Sequence, residues 1–213
     1  MIIEKITVGS FSANCYIVGC EKTKEGIIID PGDEVEKILE LINKNGLDIK
    51  MILNTHAHID HSLGIQGLKE KLGVNFCMHK DDLSFLEHLI DQAQFFGLKA
   101  NFPPKVDRFL EDNDEISFGE LKARVIHTPG HTPGGLSFLI EDSIFVGDTL
   151  FSGSIGRTDL PGGSYEKLIH SIKSKLLTLK PNTKVFPGHG PPTNIEIERK
   201  TNPFLKEFKE SNA

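Results

Sequence analysis

Cysteine is scarce in this chain. Cys15, Cys20 and Cys77 form an odd set with no CxxC pair, which argues against a disulfide framework in a protein of 213 residues. Cys15 lies in the apolar run Asn14-Cys15-Tyr16-Ile17-Val18 and reads as a buried structural thiol. Long hydrophobic runs are missing: none approaches the roughly 20 residues that span a bilayer, so no membrane partner is expected. Met1 leads straight into Ile2-Ile3-Glu4-Lys5-Ile6, without the basic and long apolar regions of a secretory signal. A cytoplasmic location is the expectation. Positive charge is in deficit, with 24 Lys and Arg against 30 Asp and Glu for a net charge of -6. That balance argues against a general nucleic-acid-binding surface. There is no low-complexity tract, linker or short-period repeat, so residues 1–213 read as one globular domain.

Residues 2–8 and 13–18 read as strands of a hairpin, 26–29 as a short buried strand, and 49–53 as another. Between the last two, Val35, Ile38, Leu39 and Ile42 repeat with helical spacing up to Asn45-Gly46. A helix carrying Leu63, Leu68 and Leu72 is expected next, then a strand at 74–78 and a helix at 81–90. Residues 91–106 mix apolar side chains with turn formers and read as an irregular segment, either a lid or a packed connection. Strands follow at 106–110, 115–117, 120–127, 135–140 and 143–147, then a helix near 164–177 and a strand at 184–186. Strands with helices in both halves predict an α/β architecture of two sheets packed face to face with helices outside.

Against that background stands Thr55-His56-Ala57-His58-Ile59-Asp60-His61, directly after Met51-Ile52-Leu53. Imidazole and carboxylate suit zinc, and also iron or manganese. In an extended segment His56, His58 and Asp60 face one side, and a turn into a helix brings His61 round. His131, Asp148 and His189 each follow a short apolar strand with glycine close by, as Asp30 does. Ligands at strand ends converge on one edge of an open sheet. Seven donors exceed the needs of one tetrahedral ion. They suit two divalent ions: His56, His58 and His131 for the first, Asp60, His61 and His189 for the second, and Asp148 between them. His79, His88 and His170 read as ordinary strand-end and helix residues, and His127 as structural. Asp30 reads as a carboxylate orienting a histidine or as a cap for the helix near Val35.

These residues, in this order, resemble the metallo-β-lactamase superfamily over nearly the whole chain. The resemblance implies a four-layer αββα sandwich of two mixed sheets with a dinuclear metal site at one edge. Gly147-Asp148-Thr149-Leu150-Phe151, Gly153 to Asp159 and Pro187-Gly188-His189-Gly190-Pro191 are similar to the glyoxalase II-like branch. Glu198 to Phe204 resembles the ending of its short bacterial members, known as hydroxyacylglutathione hydrolases. The longer enzymes carry a C-terminal helical domain that helps bind glutathione, and no equivalent follows here. Arg157 occupies the loop where those enzymes place a basic substrate contact. It is read as binding a carboxylate or as pairing with Asp159.

The expected reaction is hydrolysis of a small-molecule thioester such as S-D-lactoylglutathione. Water shared by two cations is acidic enough to exist as hydroxide near neutral pH, and Asp148 and Asp60 would hold it. An alkyl thiolate, with a pKa near about 8.5, departs without a strong general acid, and the sequence offers no dedicated one. The rival is a mononuclear iron persulfide dioxygenase using His56, His131 and Asp148. A nucleic-acid hydrolase fits the acidic charge poorly, a β-lactamase fits the missing export signal poorly, and a non-catalytic metal-binding module would require a disabled site.

Overall fold

The computed structural model describes residues 1–100 and 102–206. Two six-stranded sheets form its centre. The first holds β1 (Ile2–Val8), β2 (Ala13–Gly19), β3 (Glu25–Ile29), β4 (Asp48–Leu53), β5 (Asn75–Met78) and β6 (Arg108–Phe109) in that spatial order. β1–β3 pair antiparallel, and β3–β6 parallel. The second sheet is built from β7 (Glu115–Phe118), β8 (Leu121–His127), β9 (Leu136–Ile140) and β10 (Ser143–Gly147), followed after a short hairpin of β11 (Leu150–Phe151) and β12 (Ser154–Ile155) by β13 (Lys184–Pro187) and β14 (Thr193–Asn194). Its spatial order is β14-β13-β10-β9-β8-β7, with only β10 and β13 parallel.

Side-chain alternation explains the stacking. In β2, Tyr16 and Val18 face one way and Cys15 and Ile17 the other. Tyr16, Val18, Ile27, Ile29 and Leu53 meet Val125, Phe138, Ile140 and Phe145 of the second sheet in a shared core. The opposite face of the first sheet packs on α1 (Val35–Asn45) through Ile38 and Ile42, and on α3 (Ile65–Leu72) through Ile65 and Leu68, with the short α2 (Ile59–Ser62) leading in. The outer face of the second sheet lies under α6 (Tyr165–Ser171), α7 (Ile195–Thr201) and α8 (Pro203–Lys206). This is the four-layer αββα sandwich. A strand buried on both faces is a near-continuous apolar run, as Cys15–Val18 of β2 and Ile27–Ile29 of β3 are.

The sequence reading departs from the structure along the lower edge. The helix expected at 81–90 is a 3-10 turn at Lys80–Asp82, then α4 (Leu83–Glu87), a break at His88, and α5 (Leu89–Phe95). The segment expected to be irregular thus begins as helix, because Leu89 and Ala93, one turn apart, pack on Ile59 of α2. Asn101 lies outside the described residues. The expected helix at 164–177 is α6 running into a π-helical turn, Ile172–Leu176. No described helix is long and apolar enough to cross a membrane.

Candidate metal centre

All seven donors lie at one edge of the sandwich. His56, His58, Asp60 and His61 leave the end of β4 and enter α2; His131 follows β8, Asp148 follows β10, and His189 follows β13. Hydrogen bonds between the sheets hold this edge. Leu136 N–H donates to Thr55 O (2.7 Å) and Asn14 N–H to Gly188 O (2.7 Å). The Tyr16 hydroxyl and Asn14 amide both donate to Pro187 O, at 2.7 and 3.0 Å. Two glycines are dictated by crowding. Gly147 sits at φ +50° against Thr55, and a Cβ on Gly188 would collide with the Asp148 carboxylate.

The donors fall into the two expected sets. His56, His58 and His131 bring ligand atoms within 4.8 Å of one another, and so do Asp60, His61 and His189. Asp148 lies between them: its Oδ2 is 3.6 Å from both His131 Nε2 and His189 Nε2, and its Oδ1 is 3.5 Å from His61 Nε2.

Neighbouring groups aim the rings. Thr55 Oγ1 donates to Asp30 Oδ2 (2.6 Å), so its lone pair accepts from His56 Nδ1–H at 3.0 Å. His61 Nδ1–H donates to Asp30 (3.1 Å), and His131 Nδ1–H to Arg157 O (2.8 Å). Each ring is thereby held in the tautomer that leaves Nε2 as a lone pair facing the centre. His56 Nε2, His61 Nε2 and Asp148 Oδ1 are buried with no hydrogen-bond partner. Three orphaned acceptors aimed at one centre would be costly without a ligand. A cation is the ligand that satisfies them, so the residues fit the metals the sequence implies.

Electrostatics separates the two sets. Burial, then the neighbouring rings, drives the pKa of His56 well down and that of His58 to about 3, so both are neutral ligands. Burial also opposes charge on His61, but Asp60, Asp148 and Asp30 outweigh it and hold the ring up to about 10. The field that would keep a proton there favours a cation equally. Burial works against the Asp60 carboxylate too, yet His61 and His189 keep its pKa below the usual range.

Asp30 is therefore an orienting residue. It also accepts from Thr55 N–H at 2.7 Å, while Glu34 occupies the α1 N-cap. Sequence reasoning missed Asp82, which is fully buried. It accepts from Ala57 N–H (3.1 Å), Thr132 Oγ1 (2.8 Å) and Gly134 N–H (2.6 Å), tying the His56–His58 segment to the His131 turn. It lies four residues past the end of β5, in a 3-10 turn with no glycine beside it, so nothing in the sequence set it apart. Arg157 pairs with Asp159 through two bonds, Nε to Oδ1 at 2.8 Å and Nη2 to Oδ2 at 2.7 Å. His79 and His127 stack at 4.2 Å with planes 9° apart, and His127 Nε2 donates to Pro133 O (3.0 Å), a structural role. His88, read as an ordinary helix residue, instead lines a cleft of about 600 Å³ over the centre, beside Phe11, Phe85 and Phe96.

The model of the metallo-beta-lactamase superfamily matches residues 8–189. The chain belongs to this superfamily. The hydroxyacylglutathione hydrolase GloC of Haemophilus influenzae is 41% identical over 96% of this chain and 98% of its own length. Among solved structures, the BLEG-1 B3 metallo-beta-lactamase superposes with a TM-score of 0.89 at 33% identity, covering 96% of this chain and all of that one. TTHA1623 in a di-iron-bound form superposes with a TM-score of 0.87 at 42% identity, covering 95% of this chain and all of that one. Superfamily membership makes the protein a metallo-hydrolase in its general class and places divalent metal ions in its chemistry.

Proposed function

We propose that the protein hydrolyses thioesters, using two divalent ions, zinc first among the candidates. His56, His58 and His131 hold one, Asp60, His61 and His189 the other, and Asp148 is shared. The observation that carries this reading is the completeness of the second set: Asp60, His61 and His189 converge as tightly as the first three donors. Bound there, such ions supply Lewis acidity toward an acyl carbonyl and lower the pKa of a water to near neutrality.

The protein's own groups do the rest. Asp148 and Asp60 present carboxyl oxygens to the centre, where they accept hydrogen bonds from the attacking water and orient it. Asp30 and Thr55 hold His61 and His56, and Asp82 keeps the His58 and His131 turns in register. Phe11, Phe85 and Phe96 give the cleft apolar walls against which a substrate's carbon chain can pack. The described cleft residues include no lysine, tyrosine or glutamate to protonate a poor leaving group. A thiolate needs no such help, whereas an amide nitrogen does. The similarity to a hydroxyacylglutathione hydrolase supports the same reaction class.

The test is a panel of S-D-lactoylglutathione, other S-acyl thiols, a β-lactam and glutathione persulfide with oxygen, run beside metal analysis of the same sample. Thioester cleavage with two metals per chain is expected. Sulfite from the persulfide, with one iron per chain and no thioester cleavage, would replace this reading by the dioxygenase.

A further inference from the structure

The donors differ in how they are aimed. The rings of His56, His61 and His131 are steered from behind, through Nδ1, by Thr55, Asp30 and the Arg157 carbonyl. His189 turns Nε2 to the centre, 3.1 Å from Asp60 Oδ2 and 3.6 Å from Asp148 Oδ2. Among the described residues none forms a hydrogen bond with its Nδ1, and the side chain is partly exposed. The direction of this ring is therefore set chiefly by the backbone of Pro187-Gly188-His189-Gly190.

That turn is clamped by one residue of the other sheet. Asn14, buried in β2, donates Nδ2 to Pro187 O at 3.0 Å and to Gly190 O at 2.9 Å, the carbonyls that bracket His189. Its backbone N–H donates to Gly188 O at 2.7 Å, and Ala13 forms an isolated bridge with His189 itself. The Tyr16 hydroxyl adds a second bond to Pro187 O at 2.7 Å. Across the β1–β2 pair, Thr7 Oγ1 donates to Asn14 Oδ1 at 3.2 Å. The amide is thereby held with its N–H groups toward the turn, since the flipped amide would set oxygen against two carbonyls.

The turn has little slack on its inner side. A Cβ on Gly188 would collide with Asp148 Oδ1 and lie 2.8 Å from His61 Cε1. A shift of the turn thus moves His189 against Asp60, His61 and Asp148 together. None of the Asn14 bonds reaches the segments that carry His56, His58 and His131.

We propose that Asn14 is a positioning residue for the second metal ion: it clamps the turn that aims His189, while the first position forms without it. This rests on the two-metal reading above and adds a residue from a hairpin that supplies no ligand.

The experiment titrates zinc alone into metal-stripped protein by calorimetry. Anomalous scattering from crystals of the zinc-loaded protein shows which position is filled. The unaltered protein should take two ions. Asn14→Ala leaves Gly190 O without its donor and should weaken the second ion by at least about tenfold. The first should stay within about twofold, with zinc retained among His56, His58 and His131. Should that variant fail to fold, Tyr16→Phe removes only one bond to Pro187 O and should weaken the second ion by about threefold. Ile17→Val destabilises the same strand from its opposite face and should change neither affinity. An equal loss in Ile17→Val would make the effect one of stability and overturn the proposal. Equal weakening of both ions, or an unchanged second affinity, overturns it and leaves the two-metal reading standing. A single ion in the unaltered protein overturns both.

Discussion

Asp148 is the residue on which the site's logic turns. Its two oxygens lie 3.5–3.6 Å from nitrogens of three histidines drawn from both donor sets. A side chain so placed couples the sets, so its loss should be felt by both. Asp148→Ala is expected to lower metal content at both positions and to cut turnover by at least about a hundredfold; loss of a single metal equivalent would show that it serves one set. Asp82 acts at a distance from the reacting atoms. Asp82→Ala leaves the Ala57 and Gly134 N–H groups and the Thr132 hydroxyl without an acceptor in a buried position, at a cost of about 2–4 kcal/mol. Thermal unfolding should fall by on the order of 10 °C, and metal should be lost first from the His56, His58 and His131 set. The contrast between these two aspartates shows what a sequence can display. Asp148 was legible because donor chemistry, an apolar strand and a glycine all stand beside it. Asp82 was not, because its meaning comes from donors about 25 and 50 residues away, and in sequence it resembles the start of a helix.

At the scale of elements, strands were read more securely than the pieces that connect them. A strand rich in apolar side chains announces itself by composition, and β2, β3, β4, β8 and β10 all lie close to their expected bounds. The α4–α5 break does not announce itself, since it depends on Leu89 and Ala93 finding Ile59. The last helices were recognised only as a resemblance in sequence, yet they contain a structural anchor. Glu198 is fully buried and accepts from Gly153 N–H (3.0 Å), Thr193 Oγ1 (2.7 Å) and Asn202 Nδ2 (2.8 Å). It thereby pins α7 to the β11–β12 hairpin, whose continuation supplies the Arg157 carbonyl that orients His131. Glu198→Ala should therefore destabilise the protein by about 2–4 kcal/mol. Urea unfolding should show an earlier midpoint with an unchanged slope; an unchanged midpoint would refute the anchor.

For the whole molecule, the metal centre is a property of the sandwich. One set of donors leaves the first sheet at β4, while His131, Asp148 and His189 leave the second at β8, β10 and β13. Neither sheet holds a complete set alone, because His131 must join His56 and His58, and His189 must join Asp60 and His61. Cations that bind the assembled edge and not the unfolded chain stabilise the fold by mass action. The most direct measurement is therefore a zinc titration of metal-stripped protein, with thermal unfolding and thioester hydrolysis read on the same samples. Two equivalents per chain are expected, with the unfolding temperature rising throughout and hydrolysis reaching its maximum only as the second is bound. Saturation of stability and activity at one equivalent would contradict the shared two-metal centre.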